Sequence, residues 1–107
     1  MIAVALLLSA QSVPHAVLDA ADQANGAYVQ CLFATSRAAS ASRMSADAFE
    51  ARLAAACTAE QQAVVQAMTA VLQGRGERNA AAVARRAAED ARRSVLDTYR
   101  QALNLQR

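Results

Sequence analysis

Apolar positions recur at three- and four-residue spacing in three successive runs of this chain, separated by two stretches of helix-breaking residues. The first run reads Leu18, Ala21, Tyr28, Cys31, Leu32 and Thr35. That spacing lines one face of a helix and predicts an element over about 18–39. Asp19 and Asp22 would lie in its first turn, where negative charge meets the positive helix end. Asn25-Gly26 interrupts the pattern. Without flanking alternation it is no strand turn, so it reads as a weak spot costing about 1 kcal/mol relative to alanine.

Ser40-Ala41-Ser42-Arg43-Met44-Ser45 is the first breaking stretch. Ser45 is placed to cap a second helix, with Asp47 and Glu50 in its first turns. The face of this second helix reads Phe49, Leu53, Cys57, Glu60 or Gln61, Val64, Met68 and Val71. The rhythm crosses Thr58 without a phase break and favours one helix over about 46–73. A competing reading starts a new helix at Thr58-Ala59-Glu60-Gln61, which matches a capping box. Gly74-Arg75-Gly76 ends the element. Asn79 then caps a third helix over about 79–103, with Val83, Ala87, Ala91, Val95, Thr98 and Ala102 on one face, widened by Leu96, Tyr99 and Leu103. Short turns make neighbouring helices antiparallel. The expectation is an all-α, up-down-up arrangement of three helices.

Composition supports this class and limits it. The chain has 107 residues, enough for one domain, with three glycines and one proline. Thirty residues are alanine, which buries little area, and only 20 larger apolar residues follow from Val17 onward. A core that thin leaves a few kcal/mol of net stability. A covalent staple or a partner subunit would supplement it.

The cysteines supply such a staple. Cys31 and Cys57 are 26 positions apart, and their midpoint, position 44, falls in the first turn. In an antiparallel helix pair this sets the thiols opposite each other, as a disulfide requires. Closing that loop is worth roughly 3–4 kcal/mol on the chain-entropy model. A bridge also implies an oxidising compartment.

The N-terminus points to the same compartment. Ile2-Ala3-Val4-Ala5-Leu6-Leu7-Leu8-Ser9-Ala10 has the length of a secretory h-region and is too short to span a bilayer. Ala10-Gln11-Ser12 fits the small-x-small cleavage rule, making residues 1–12 a signal peptide and 17–107 a single helical domain. Cleavage after Ala16 is the second choice. The amino terminus alone supplies positive charge to the n-region. Together these features predict a bacterial, Sec-exported protein, periplasmic or secreted, without a transmembrane span.

Catalytic groups are scarce. His15, the only histidine, falls near or inside the segment to be removed, so the mature chain lacks an imidazole base for a Ser or Cys nucleophile. No paired carboxylates or phosphate loop are recognisable, and two cysteines at this spacing make no zinc site. The expectation is a non-enzyme without cofactor or metal.

Charge is more informative. From Arg75 onward eight arginines stand against four acids, a net of +4, whereas 17–74 carries three arginines and five acids, a net of −2. Arg86, Arg93, Arg100 and Arg107 recur every seven residues, beside a second row of Arg78, Arg85 and Arg92. This is a candidate stripe for an anionic surface: lipid head groups, wall polymer or an acidic protein. The alternative is a solvated face, neutralised by the i,i+4 pairs Arg85–Glu89, Arg86–Asp90, Glu89–Arg93 and Arg93–Asp97. Nucleic acid is not expected, since no aromatic residues interleave the arginines.

Two further readings concern partners. Val29, Phe33, Val65 and Leu72 fall beside the main faces; they either widen the core or form a second stripe for a dimer, a client or a partner helix. Cys57-Thr58-Ala59-Glu60-Gln61 resembles a degenerate Leu-Thr-x-x-Gln motif, the mark of Spy/CpxP-type periplasmic chaperones and their metal-sensing relatives. The resemblance covers five residues, with cysteine replacing the leading leucine and no second copy. It implies a secreted helical stress-response protein and carries over no binding residues. The sequence thus predicts a small exported protein with a non-catalytic interaction or structural role in the cell envelope.

Overall fold

A computed structural model describes residues 13–105. The signal segment, residues 1–12, lies outside the described residues. Four helices account for nearly all of the remainder: α1 His15–Ala41, α2 Ala46–Ala56, α3 Thr58–Gly74 and α4 Ala80–Leu105. Among the described residues there is no strand, and none of these helices is long and apolar enough to cross a membrane.

α1 begins three residues before the expected start. Pro14 stands at its N-cap, and the amides of Val17 and Leu18 bond the Pro14 carbonyl at 3.0 and 3.2 Å. Asp19 and Asp22 therefore lie beyond the first turn, which holds no acid. Gly26 does not interrupt α1. It faces solvent, with nothing within 4 Å of the place a Cβ would take, so tertiary packing elsewhere carries the helix past it.

Both reversals of direction use one hydrogen-bond pattern. After α1, Met44 N–H bonds Ala39 O at 2.9 Å and Arg43 N–H bonds Ser40 O at 3.1 Å. After α3, Glu77 N–H bonds Leu72 O at 2.9 Å and Gly76 N–H bonds Gln73 O at 3.0 Å. Each is a Schellman closure with a left-handed residue at its corner. That residue is Gly76 (φ 86°) in the second turn and Arg43 (φ 55°) in the first. Ser45 caps α2 as expected, its hydroxyl accepting the Ala48 amide at 3.2 Å.

The single second helix expected over 46–73 is two helices, so the element count is four and not three. The chain leaves helical geometry at Cys57 (φ −114°, ψ 26°). The capping box is not what divides them. Thr58 donates its hydroxyl back to Ala54 O and Ala55 O, 3.2 Å each, and does not cap α3.

Contacts fix the packing. Cys31 is bonded to Cys57, with Cα atoms 5.9 Å apart. At the far end of the same pair, Val13 Cγ2 lies 3.1 Å from where a Gly74 Cβ would stand. Both pairings centre on position 44 or just before it, so α1 runs antiparallel to α2 and α3. Tyr28 donates to Ala88 O at 2.8 Å, and Tyr99 to Met44 O at 2.6 Å. These place α4 parallel to α1. Phe49, fully buried, meets the Tyr99 ring at a centroid distance of 4.3 Å. The core is Tyr28, Leu32, Phe49, Leu53, Cys57, Val64, Leu96 and Tyr99, with Met44, Val65, Met68 and Leu103 against it.

The face of α4 is rotated from the expected one. Ala80, Ala84, Ala88, Leu96 and Tyr99 are buried, Ala91 and Val95 are half-buried, and Val83 is 43% exposed. Thr98 and Ala102 face solvent. Small buried residues at Ala80, Ala84 and Ala88 let α4 lie close along α3, while from α1 the Tyr28 hydroxyl reaches the Ala88 carbonyl.

Candidate functional site

α4 begins just after Asn79, whose carbonyl accepts the Val83 amide at 2.9 Å. From there the seven-residue spacing holds each arginine row nearly parallel to the helix axis, drifting by about 20° per repeat. With Ala84 and Ala88 inward, Arg85, Arg86, Arg93 and Arg100 are exposed and Arg92 is half-buried. Arg78 is exposed in the turn before α4. The terminal Arg107 lies outside the described residues.

The fold brings several of these arginines to the seam between α4 and the α2–α3 segment. Arg92 and Arg93 share a surface cavity of about 170 Å³ with Glu50, Leu53, Ala54, Glu89 and Leu96. Arg85 borders a neighbouring depression with Ala54, Thr58, Gln61, Gln62, Val65 and Gln66. Arg100 reaches Glu50 at 3.2 Å, both side chains about half exposed (45% and 57%). It also borders a hollow with Arg43, Ser45 and Asn104 at the α1–α2 turn. Arg43 extends the basic flank and was not among the residues the repeat singled out. Its local signal is the breaking stretch, and only the fold brings it to Arg100.

The neutralising ladder is not closed. Among the described residues, Arg100–Glu50 is the one ion pair within 4.0 Å, and it joins two helices. The i,i+4 partners of Arg85, Arg86 and Arg93 stand farther away than that. An exposed helical pair gains only about 0.3–0.5 kcal/mol, too little to hold two long side chains in one geometry. The flank is thus a set of arginines with solvated heads, carrying Glu50 and Glu89 between them.

Tyr28 lies beneath this flank. Burial pushes its hydroxyl above the ordinary value of 10.0; the positive charge of Arg92 opposes that shift and Glu89 adds to it. The neutral hydroxyl is held as a donor to Ala88 O.

The other sequence features fall as follows. Cys31 and Cys57 form the disulfide, and no free cysteine is present among the described residues. His15 is an exposed residue at the start of α1. No cluster of three or more metal-ligating side chains is found among the described residues. Glu60 has a buried carboxylate oxygen, Oε2, with no hydrogen-bond partner, a feature periodicity could only place on the inner face. Val29, Phe33, Val65 and Leu72 do not make a continuous exposed stripe: Val65 packs on the core, Val29 and Leu72 are half-buried, and Phe33 is 50% exposed. No protein-family model matches the chain, and no curated protein or solved structure is significantly similar to it.

Proposed function

We propose that this protein is a small exported component of the cell envelope that acts by contact and not by catalysis, and that its contact surface is the arginine flank of α4. The observation that carries the first part is the Cys31–Cys57 disulfide, with Cys57 buried in the core of a thin helical bundle. A bond the fold relies on belongs in an oxidising compartment. Processing after Ser12 agrees with this reading. It leaves Val13 to seat on Gly74 and Pro14 to start α1. Processing after Ala16 would remove both.

The flank is supported as the contact surface by what surrounds it. Its arginines are solvated, mostly unpaired and gathered on one side. The large exposed apolar residues, Phe33, Val83 and Leu105, are scattered by comparison. A chaperone or a dimer would draw on a contiguous apolar surface, so the anionic partner is the better supported reading. The partner is a lipid head-group surface, a wall polymer or an acidic envelope protein, met without a membrane span.

The test has two arms. Intact mass of the periplasmic protein, with and without reduction and alkylation, should show loss of residues 1–12 and two thiols only after reduction. Sedimentation with anionic vesicles should then fall steeply as salt approaches about 0.5 M, where the Debye length drops below about 5 Å. It should also fall when Arg85, Arg86 and Arg93 are replaced by glutamine. An unprocessed chain with two free thiols would defeat the envelope reading. A processed, oxidised protein that ignores anionic vesicles and wall fragments alike would defeat the arginine reading alone.

A further inference from the structure

The division between α2 and α3 has no cause in local sequence. Ala54-Ala55-Ala56-Cys57-Thr58-Ala59 contains no glycine or proline, and alanine is the strongest helix former. The inward residues Phe49, Leu53, Cys57, Val64 and Val71 keep helical phase straight through the junction, and all five are buried. One continuous helix would satisfy the same core. Yet the chain leaves helical geometry at Cys57, the residue that carries the covalent tie.

A hydroxyl bonding back into the preceding turn is a known way to bend a helix, and Thr58 does this to Ala54 O and Ala55 O. The molecule contains its own controls. Thr35 bonds Cys31 O at 2.8 Å, Thr69 bonds Val65 O at 2.6 Å and Thr98 bonds Ser94 O at 3.0 Å. All three sit inside unbroken helices, α1, α3 and α4. Back-bonding by threonine does not divide a helix here. The fourth case differs in two respects: its hydroxyl reaches the i−3 carbonyl as well as the i−4, and the disulfide stands one residue earlier, its Cys31 sulfur 3.7 Å from Ala56 O. An oxidised sulfur has no proton to donate, so this is a contact, and it faces a carbonyl at the end of α2.

We propose that the Cys31–Cys57 bond holds the helix divided, and that opening it lets α2 and α3 join into one helix from Ala46 to Gly74. The chemistry is two-electron exchange with a dithiol reductant. A reductant thiolate attacks one sulfur of the bridge and forms a mixed disulfide. The second reductant thiol then resolves it, leaving a cyclic disulfide on the reductant and two thiols at Cys31 and Cys57. The oxidation state of one bond is thereby coupled to the direction of α2, the element that carries Phe49 and Glu50 against α4.

The test is amide exchange and Cα chemical shift at residues 54–60, on the processed protein before and after dithiothreitol. The reduced protein should show a helical Cα shift at Cys57 and at least tenfold slower exchange at Thr58, because its amide gains the Ala54 carbonyl. An unchanged junction in a folded, reduced protein would overturn the proposal and assign the division to packing of α2 on α4. The oxidised Thr58→Ala variant provides a reading that does not depend on the reduced protein folding. It should keep the division, and a continuous helix in that variant would assign the break to Thr58 and overturn the proposal.

Discussion

The two turns of this molecule are built on one hydrogen-bond plan and held in opposite ways. The turn after α3 puts glycine at its left-handed corner, Gly76, where positive φ costs no steric penalty. The turn after α1 puts Arg43 there, at a cost of about 1–2 kcal/mol for a residue with a Cβ. The first turn is compensated from outside itself. Tyr99 donates to Met44 O, Met44 packs on the core, Ser45 caps α2, and the disulfide ties the flanking helices further along. The second turn relies on its glycine. Strain at one corner is tolerated where tertiary contacts fix the path, and glycine is needed where they do not.

The largest test of that contrast removes the tie. Replacing Cys31 and Cys57 together by alanine should lower stability by about 3–4 kcal/mol, read as a fall in unfolding free energy by denaturant titration. A loss below 1 kcal/mol would mean that the first turn is held by packing alone. Next, Gly76→Ala should destabilise by about 1–2 kcal/mol through backbone strain only, since nothing lies within 4 Å of a Cβ at that position. Arg43→Gly should do the reverse and stabilise by roughly 0.5–1 kcal/mol. Equal effects of opposite sign would show that the corners are equivalent and that the tertiary contacts only compensate. The smallest effect concerns Tyr28. Its folded-state hydroxyl titrates above the unfolded value of 10.0, so the folded state retains the proton more strongly. That contribution is complete below pH 10 and is lost as the pH rises through the folded value. Tyr28→Phe should cost about 1 kcal/mol at neutral pH. It should also flatten the decline in melting temperature above about pH 10.

Sequence and structure agree most closely where side chains differ in size. Tyr28, Leu32, Phe49, Leu53 and Val64 mark the inner faces of α1 to α3, and the cysteine midpoint locates the first turn within its breaking stretch. Agreement fails where alanine dominates. Ala84 and Ala88 are buried while Ala81 and Ala82 are exposed, and nothing in their side chains separates the two sets. The phase of α4 is set by its close packing along α3, and with that phase Tyr28 of α1 bonds Ala88 O. The division at Cys57 stands only as the competing reading, because local propensity and hydrophobic phase both favour continuity there, and the structure has it. In the flank, the arginine repeat was legible but its surroundings were not. Glu50 and Arg43 come to Arg100 from elements distant in the chain, a juxtaposition only the fold creates.

The staple also decides how this protein would bear load. Tension applied between its two ends passes from α1 to α3 through the sulfur–sulfur bond and bypasses the 26-residue separation between Cys31 and Cys57. The hairpin tip, with its strained Arg43 corner and the whole of α2, stays slack while the rest of the chain is drawn out. Roughly 90 Å of contour remains unavailable to extension until that bond is reduced.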